Sequence, residues 1–182
     1  MRADLLKVVV FVSVVAGMAF FAATVKAQSE HEFVGAGKCG MCHKTEDMGG
    51  QYQIWQETKH AKAFETLGTP EAKEIAAKSG IDNPQASGKC LKCHSTAYGF
   101  SENKVTEAIA VEEGISCETC HGPGRDYMKK SVMQDKEQAQ ANGLIIPGEE
   151  ICKKCHNPES PKFKEFDYKE RWEKIKHPLT KK

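Results

Sequence analysis

The residues with the clearest chemistry in this chain are cysteines and histidines that recur in one short pattern. Cys-x-x-Cys-His occurs four times and uses all 8 cysteines of the 182 residues. This pattern is typical of c-type haem attachment, in which two thiols bind the macrocycle and the adjacent imidazole ligates the iron. All three side chains lie within about one helical turn. The motifs, numbered one to four, are Cys39/Cys42/His43, Cys90/Cys93/His94, Cys117/Cys120/His121 and Cys152/Cys155/His156.

Zinc ribbons and redox-active dithiols are the alternatives for a Cys-x-x-Cys pair. The histidine that follows every pair argues against them, because neither site requires it. The chain contains 7 histidines, and four of them stand at this one position. We therefore expect four covalently bound haem c groups, called haems one to four after their motifs. Their proximal iron ligands would be His43, His94, His121 and His156.

Three histidines, His31, His60 and His177, remain as candidate ligands for the opposite faces of the irons. Four haems with two histidines each would need four of them, so at least one haem should be five-coordinate or use another ligand. Each spare histidine could instead be a packed or exposed residue. A thioether would be the other choice of sixth ligand and would raise the potential of its haem. The candidates are Met41, Met48, Met128 and Met133.

The elements that must hold these residues are predicted to be helices and loops, because no strand-rich pattern is present. Apolar residues at helical spacing around His60 predict a helix over 52–67. Thr69 as N-cap and Pro70 at the first helical position predict a second helix over 70–79. Two further helices are predicted, over 126–141 and from a capping box at Asp167 to residue 177. The fold class is therefore mainly α with extensive loops.

Residues 1–27 differ in composition from the rest of the chain. A basic start is followed by an apolar run of 18 residues, and small residues at Val25-Lys26-Ala27 suit cleavage by a signal peptidase. A retained membrane anchor is the alternative, because the apolar run is near spanning length. Both interpretations predict an exported protein whose haem domain comprises residues 28–182.

Charge and apolar content narrow the possible partners and the kind of core. The chain has a net charge of +1, and loss of residues 1–27, which carry +2, would leave about −1. No concentrated basic face is present, so a nucleic-acid partner is not expected. The segments between motifs are rich in charge and poor in apolar runs. We therefore expect the haems to form the core and the apoprotein to be largely unfolded.

Several stretches beyond the motifs resemble the tetrahaem cytochrome c-554 family, and the resemblance spans nearly all of the mature region. They are Val34-Gly35, Trp55-Gln-Glu-Thr-Lys-His60-Ala61, residues 114–124, and Phe166-Asp-Tyr with Lys176-His177-Pro178. The resemblance implies a periplasmic electron shuttle with three bis-histidine haems and one open iron. It also implies that haem two is the open one and that His60 serves haem three.

The chain departs from the family in one respect. In the family a sixth ligand comes from between motifs two and three, whereas residues 95–116 contain no histidine. Either His31 replaces that ligand or a second haem is open, so the coordination of haem one is undecided at this point.

Three functions fit these features. The leading hypothesis is an electron carrier between redox protein donors and acceptors in the periplasm, rather than an enzyme. The second is reduction of nitric oxide or another nitrogen oxide at the open haem. The third is a subunit of an extracellular haem filament, in which a histidine of one subunit completes a haem of the next.

Overall fold

The structure is a computed structural model that describes residues 31–178. The predicted signal segment, residues 1–27, lies outside the described residues. The helices are α1 (Ala36–His43), α2 (Gln51–Gln56), α3 (Ala63–Leu67), α4 (Pro70–Lys78), α5 (Gly88–His94), α6 (Cys117–His121), α7 (Lys130–Met133), α8 (Lys136–Ala141), α9 (Glu149–Lys153) and α10 (Tyr168–Ile175). Short 3-10 turns occupy Glu46–Met48, Thr96–Tyr98 and Val111–Glu113. Within residues 31–178 no helix is long and apolar enough to cross a membrane.

The mainly α fold class is confirmed, since the described residues form helices, turns and loops without a strand. Local sequence signals explain two of the helices. Thr69 caps α4 by accepting a hydrogen bond from Ala72 N at 3.2 Å. Asp167 caps α10 by accepting one from Glu170 N at 3.0 Å. Both helices begin where capping chemistry places them.

The helix predicted over 52–67 is wrong in its middle, because α2 ends at Gln56 and α3 begins at Ala63. His60 therefore lies in a turn and not on a helical face. Its carbonyl oxygen accepts a hydrogen bond from Ile115 N at 2.9 Å, and Thr58 Oγ1 donates to Trp55 O at 2.7 Å. These bonds divert the backbone from the helical path that the apolar spacing favours.

Two other helices are shorter than predicted. The segment 126–141 is split into α7 and α8, because Asp135 leaves the helix and caps α8 through Glu137 N and Gln138 N, both at 3.0 Å. The last helix, α10, ends at Ile175 and not at residue 177. The residue before a proline is pushed away from helical geometry, so His177 follows the helix in extended chain.

The polypeptide supplies a small apolar core. Among the described residues only Leu91 and Ile109 are large apolar side chains with less than 2% exposure. The other buried apolar side chains are mostly alanines, with Leu67, Ile115 and Tyr127. Aliphatic packing of the polypeptide therefore supplies little of the stabilisation, and the haem core stays a prediction.

Long-range hydrogen bonds join segments that the short helices leave apart. Trp55 Nε1 donates to Ile115 O at 2.8 Å, and Thr96 N donates to Gly114 O at the same distance. Gly114 has φ +71°, and a Cβ there would lie 2.5 Å from Ala61 O. Only glycine fits this junction between the His60 turn and motif three.

Candidate functional site

Short helices present the four Cys-x-x-Cys-His motifs. The helices α1, α5 and α6 each end at the histidine of their motif, so the two thiols and the imidazole share a single turn. In motif four, α9 ends at Lys153, yet His156 N still donates to Cys152 O at 2.9 Å. This is the bond of one helical turn. All four motifs therefore have the same local geometry.

Thiols of different motifs influence one another's pKa values. The nearby Cys117 thiol lowers the pKa of Cys39, and the nearby Cys155 thiol lowers the pKa of Cys93 to about 7. Burial, and then the charge of Cys152, raise the pKa of Cys120 to about 11. All eight cysteines lie within the described residues and form no disulfide.

Contacts between segments give the order of the motifs. Gly35 N, just before motif one, donates to Glu118 of motif three at 2.8 Å. His60 O accepts a hydrogen bond from Ile115 N, just before motif three, and the His60 ring lies beside His156 of motif four. Lys92 of motif two pairs with Glu159, just after motif four, at 3.2 Å. The motifs therefore follow one another in the order one, three, four, two.

Cys42 differs from the other seven cysteines, because it is exposed while they are partly buried. The reason is local to α1, whose buried face consists of Ala36 and Gly40, with Gly40 packed against the Tyr52 ring. Cys42 follows Gly40 by two residues, about 200° around the helix, so it points away from that face. The attachment of haem one through Cys42 stays a prediction.

Three of the motif histidines use Nδ1 for a hydrogen bond to the protein. His94 Nδ1 lies 2.8 Å from Ala63 O, and His121 Nδ1 lies 3.0 Å from Ile145 O. His43 Nδ1 lies 3.3 Å from Gln51 Oε1. Each acceptor favours the tautomer with the proton on Nδ1, which leaves the lone pair of Nε2 for a metal. This arrangement fits imidazoles that ligate a haem iron.

His60 lies beside the histidine of motif four. Its ring centroid is 6.0 Å from that of His156, with an interplanar angle of 70°. Phe166 stacks on the His156 ring with centroids 4.7 Å apart. Burial, and then the nearby His156, lower the pKa of His60, which favours the neutral form that binds metals. His60 thus lies near motif four through its ring and near motif three through its carbonyl oxygen, which Ile115 N binds, and which haem it serves stays a prediction.

His177 lies beside the histidine of motif three, His121, with ring centroids 5.9 Å apart. Gln51 holds the turn after α10, since its Nε2 donates to Pro178 O at 2.9 Å. With a metal–imidazole bond of about 2 Å on each side, two rings that face each other across a metal have centroids roughly 6 Å apart. Both histidine pairs therefore have the spacing of a bis-histidine haem.

His31 is fixed against a different part of the chain. Its Nδ1 lies 2.6 Å from Asp126 Oδ2, and 33% of its side chain is exposed. A Cβ on Gly143, where φ is +100°, would lie 2.9 Å from the His31 ring. Of the candidate methionines, Met41 is 65% exposed and Met128 is 37% exposed.

A cavity of about 210 Å³ adjoins motif four. Its lining includes aromatic residues, cations and one acid: His156, Phe163, Phe166, Lys162, Lys164, Arg171 and Glu165. Aromatic walls suit a porphyrin plane, and cations suit carboxylates such as haem propionates. Within residues 31–178, no group of three or more His, Cys, Asp or Glu side chains could hold a metal ion.

Some residues that build this site are not apparent from the motifs. Gln51 contacts both His43 and Pro178, and Asp126 holds His31. Glu118 is 2% exposed and accepts hydrogen bonds from three backbone N–H groups. One signal could have drawn attention to Glu118. It is the only acidic residue between the cysteines of any motif.

A helical chain with repeated Cys-x-x-Cys-His turns and imidazoles prepared for iron is a c-type cytochrome, a class that binds haem covalently. The family model for cytochrome c554 and c-prime matches residues 38–122. Cytochrome c-554 of Nitrosomonas europaea is 30% identical over 139 residues, which are 68% of this chain and 57% of that protein. The chain belongs to the cytochrome c-554 family. It spans little more than half the length of this curated relative. No solved structure matches the chain.

Proposed function

We propose that the chain is an exported, periplasmic tetrahaem cytochrome that carries electrons between redox protein partners. The observation that carries this proposal is the series of contacts that join consecutive motifs: Gly35 with Glu118, His60 with both Ile115 and His156, and Lys92 with Glu159. Groups attached to neighbouring motifs would have neighbouring edges. Bound haem supplies one-electron redox chemistry, so four such groups in a row would form one continuous conductor.

The axial ligands proposed for the four irons follow from the positions of the histidines. His60 and His156 would share the iron of haem four, and His177 and His121 that of haem three, on the basis of their ring spacings. His31 would be the sixth ligand of haem one. The segment of His31 leads directly into α1, and its Nε2 is left available by the bond from Nδ1 to Asp126.

Haem two, on Cys90, Cys93 and His94, would then be the five-coordinate one. Each of the three spare histidines has a position elsewhere: His60 at His156, His177 at His121, and His31 at Asp126. His94 itself is held by Ala63 O and can bind iron from one side. Haem two would lie at one end of the row and haem one at the other, so the two ends could serve different partners.

Rapid reduction tests the carrier function. Purified holoprotein should take up four electrons per chain from dithionite, and a reduced cytochrome or quinol analogue should reduce all four haems in stopped-flow mixing. Two or more haems that stay oxidised at low potential would contradict the proposal.

A variant tests the order of the row. Replacing Cys152 and Cys155 by alanine removes haem four, which would separate haem two from haems one and three. We expect the reduction to split into two kinetically distinct populations. The matched variant Cys90→Ala/Cys93→Ala removes an end of the row and should leave one population of three haems.

A second candidate function is binding or reduction of a small nitrogen oxide at haem two. One support is that the chain has three spare histidines, one fewer than four bis-histidine haems would need. The other is a cavity of about 280 Å³ beside Cys93, lined in part by Lys92, Phe100 and Lys154. Adding nitric oxide to the reduced protein should convert a high-spin signal to a low-spin one. No spectral response would remove this candidate.

A further inference from the structure

Glu118 is the one charged side chain that is fully buried among the described residues, with 2% exposure. It occupies the position directly after Cys117, inside motif three. The other motifs have no acid there. Haem attachment requires only the cysteines and the histidine, so the presence of a buried acid at this point needs a separate explanation.

The backbone around Glu118 is arranged to hold a negative charge. Its carboxylate accepts hydrogen bonds from Gly124 N at 2.6 Å, Gly35 N at 2.8 Å, and Val34 N at 3.0 Å and 3.2 Å. Burial raises the pKa of the Glu118 carboxyl, and the three N–H donors oppose that rise by stabilising the charged form. Both carboxylate oxygens accept hydrogen bonds from backbone N–H groups, and this arrangement favours the ionised form.

The position of this anion is the junction of motifs one and three. Gly35, one of its donors, directly precedes α1, and its carbonyl oxygen lies 3.9 Å from Cys39 Sγ. Glu113 lies close by and accepts a hydrogen bond from Ala36 N at 3.0 Å. At the other end of the row, the charges that act on Cys93 are those of Lys92 and Glu159.

We propose that Glu118 is a buried anion that lowers the reduction potentials of haems one and three relative to haems two and four. This inference rests on the proposed tetrahaem carrier. Reduction adds one electron, supplied by an external reductant, to a ferric haem. A nearby negative charge opposes that addition, and it does so strongly where the surroundings exclude water. Electrons that enter the molecule would therefore settle toward the end of the row that carries haem two.

The test is a spectroelectrochemical titration of the holoprotein with the variant Glu118→Gln. Glutamine keeps the shape and one acceptor oxygen but removes the charge. We expect the reduction equilibrium of two low-spin haems to shift about tenfold or more toward the reduced form, which is about 59 mV for a one-electron couple. The high-spin haem is the internal reference, and its potential should stay unchanged.

The exposed neighbour Glu112 gives a matched control, because Glu112→Gln removes the same charge from solvent. A shift of all four haems together, or of none, would overturn the inference. A purely structural role for Glu118 predicts lower stability without a selective change in potential. Should Glu118→Gln fail to fold, Glu113→Gln decides the matter. It should shift the same two haems by a smaller amount, and the absence of that shift would also overturn the inference.

Retention of four haems and uptake of four electrons by the unaltered protein would be measured in the same experiment. If those fail, the carrier proposal itself is wrong. If they hold and the potentials of the Glu118 and Glu113 variants do not move, only the role of Glu118 is wrong.

Discussion

Single residues in this protein act mainly by orienting imidazoles. Acceptors at Ala63 O, Ile145 O and Gln51 Oε1 engage Nδ1 of three motif histidines. Hydrogen bonds of this kind fix the ring plane and increase the basicity of Nε2. Of the three spare histidines, His31 is held by Asp126, and His60 and His177 lie beside motif histidines. Individual substitutions should therefore change the coordination of one haem and leave the others as they are.

The first prediction concerns His60. His60→Ala should leave haem four with a single histidine, so that electron paramagnetic resonance of the oxidised protein shows one additional high-spin iron. The exposed neighbour Lys59 supplies the control, because Lys59→Ala should leave the spectrum unchanged. An unaltered spin count in His60→Ala would show that the 6.0 Å approach to His156 is packing and not shared ligation.

The second prediction concerns Asp126, whose carboxylate accepts the Nδ1 proton of His31 at 2.6 Å. Loss of such a partner typically weakens metal binding by about 10–100-fold. Asp126→Asn should therefore make haem one partly high-spin, and His31→Ala should make it fully so. Asp82→Asn, in an exposed loop, is the control. Identical spectra in all three variants and the wild type would exclude His31 as a ligand.

At the scale of elements, the motif helices are too short to be stable alone, and links between distant segments hold them in place. Helices shorter than about 12–15 residues are marginal in water. Here, Gly114 lets the backbone of motif three approach Ala61, and Ile115 N binds His60 O at 2.9 Å. The position of the His60 turn therefore depends on a junction that lies more than fifty residues further along the chain.

The third prediction tests that junction with a matched pair of glycines. Gly114 and Gly80 have φ values of +71° and +69°, but only Gly114 has a close neighbour, Ala61 O at 2.5 Å from an added Cβ. Gly80→Ala should cost about 1 kcal/mol of unfolding free energy from backbone strain and leave the haem spectra unchanged.

Gly114→Ala should cost more than Gly80→Ala and should also displace His60, which would make haem four partly high-spin. Thermal unfolding and electron paramagnetic resonance on the same samples check both effects. Equal losses of stability in the two variants, without a spectral difference, would contradict this role of Gly114.

The same elements show what the sequence could and could not predict. Motif positions, the cap at Thr69 and the cap at Asp167 depend on residues within four positions of each other, so local reasoning found them. The break at 57–62 depends on a hydrogen bond between His60 and Ile115, and the role of Glu118 depends on Val34 and Gly35. Such partners are distant in sequence, and local periodicity carries no information about them.

At the scale of the whole molecule, the main feature is that the described residues bury few large apolar side chains. Leu91 and Ile109 are the only large apolar residues below 2% exposure in the described part of the chain. Conformational entropy opposes folding by roughly 1–2 kcal/mol per residue, and so small a core cannot offset it. Covalently bound haems would supply the missing apolar surface.

The fourth prediction follows because the small apolar core does not offset the conformational entropy of the chain. The chain produced without haem attachment should show little helix by circular dichroism and no cooperative thermal transition, whereas the holoprotein should melt cooperatively. Binding and folding are then one process, as in small metal-dependent domains. A cooperative transition in the haem-free chain would show that the polypeptide has a sufficient core of its own.

The central claim is that each of the four Cys-x-x-Cys-His turns carries a covalently bound haem. Intact-mass spectrometry of the purified, denatured protein tests it most directly, because thioether bonds survive denaturation. We expect the mass of the polypeptide, with or without residues 1–27, plus four haems. A mass that corresponds to fewer than four haems, or to none, would contradict it.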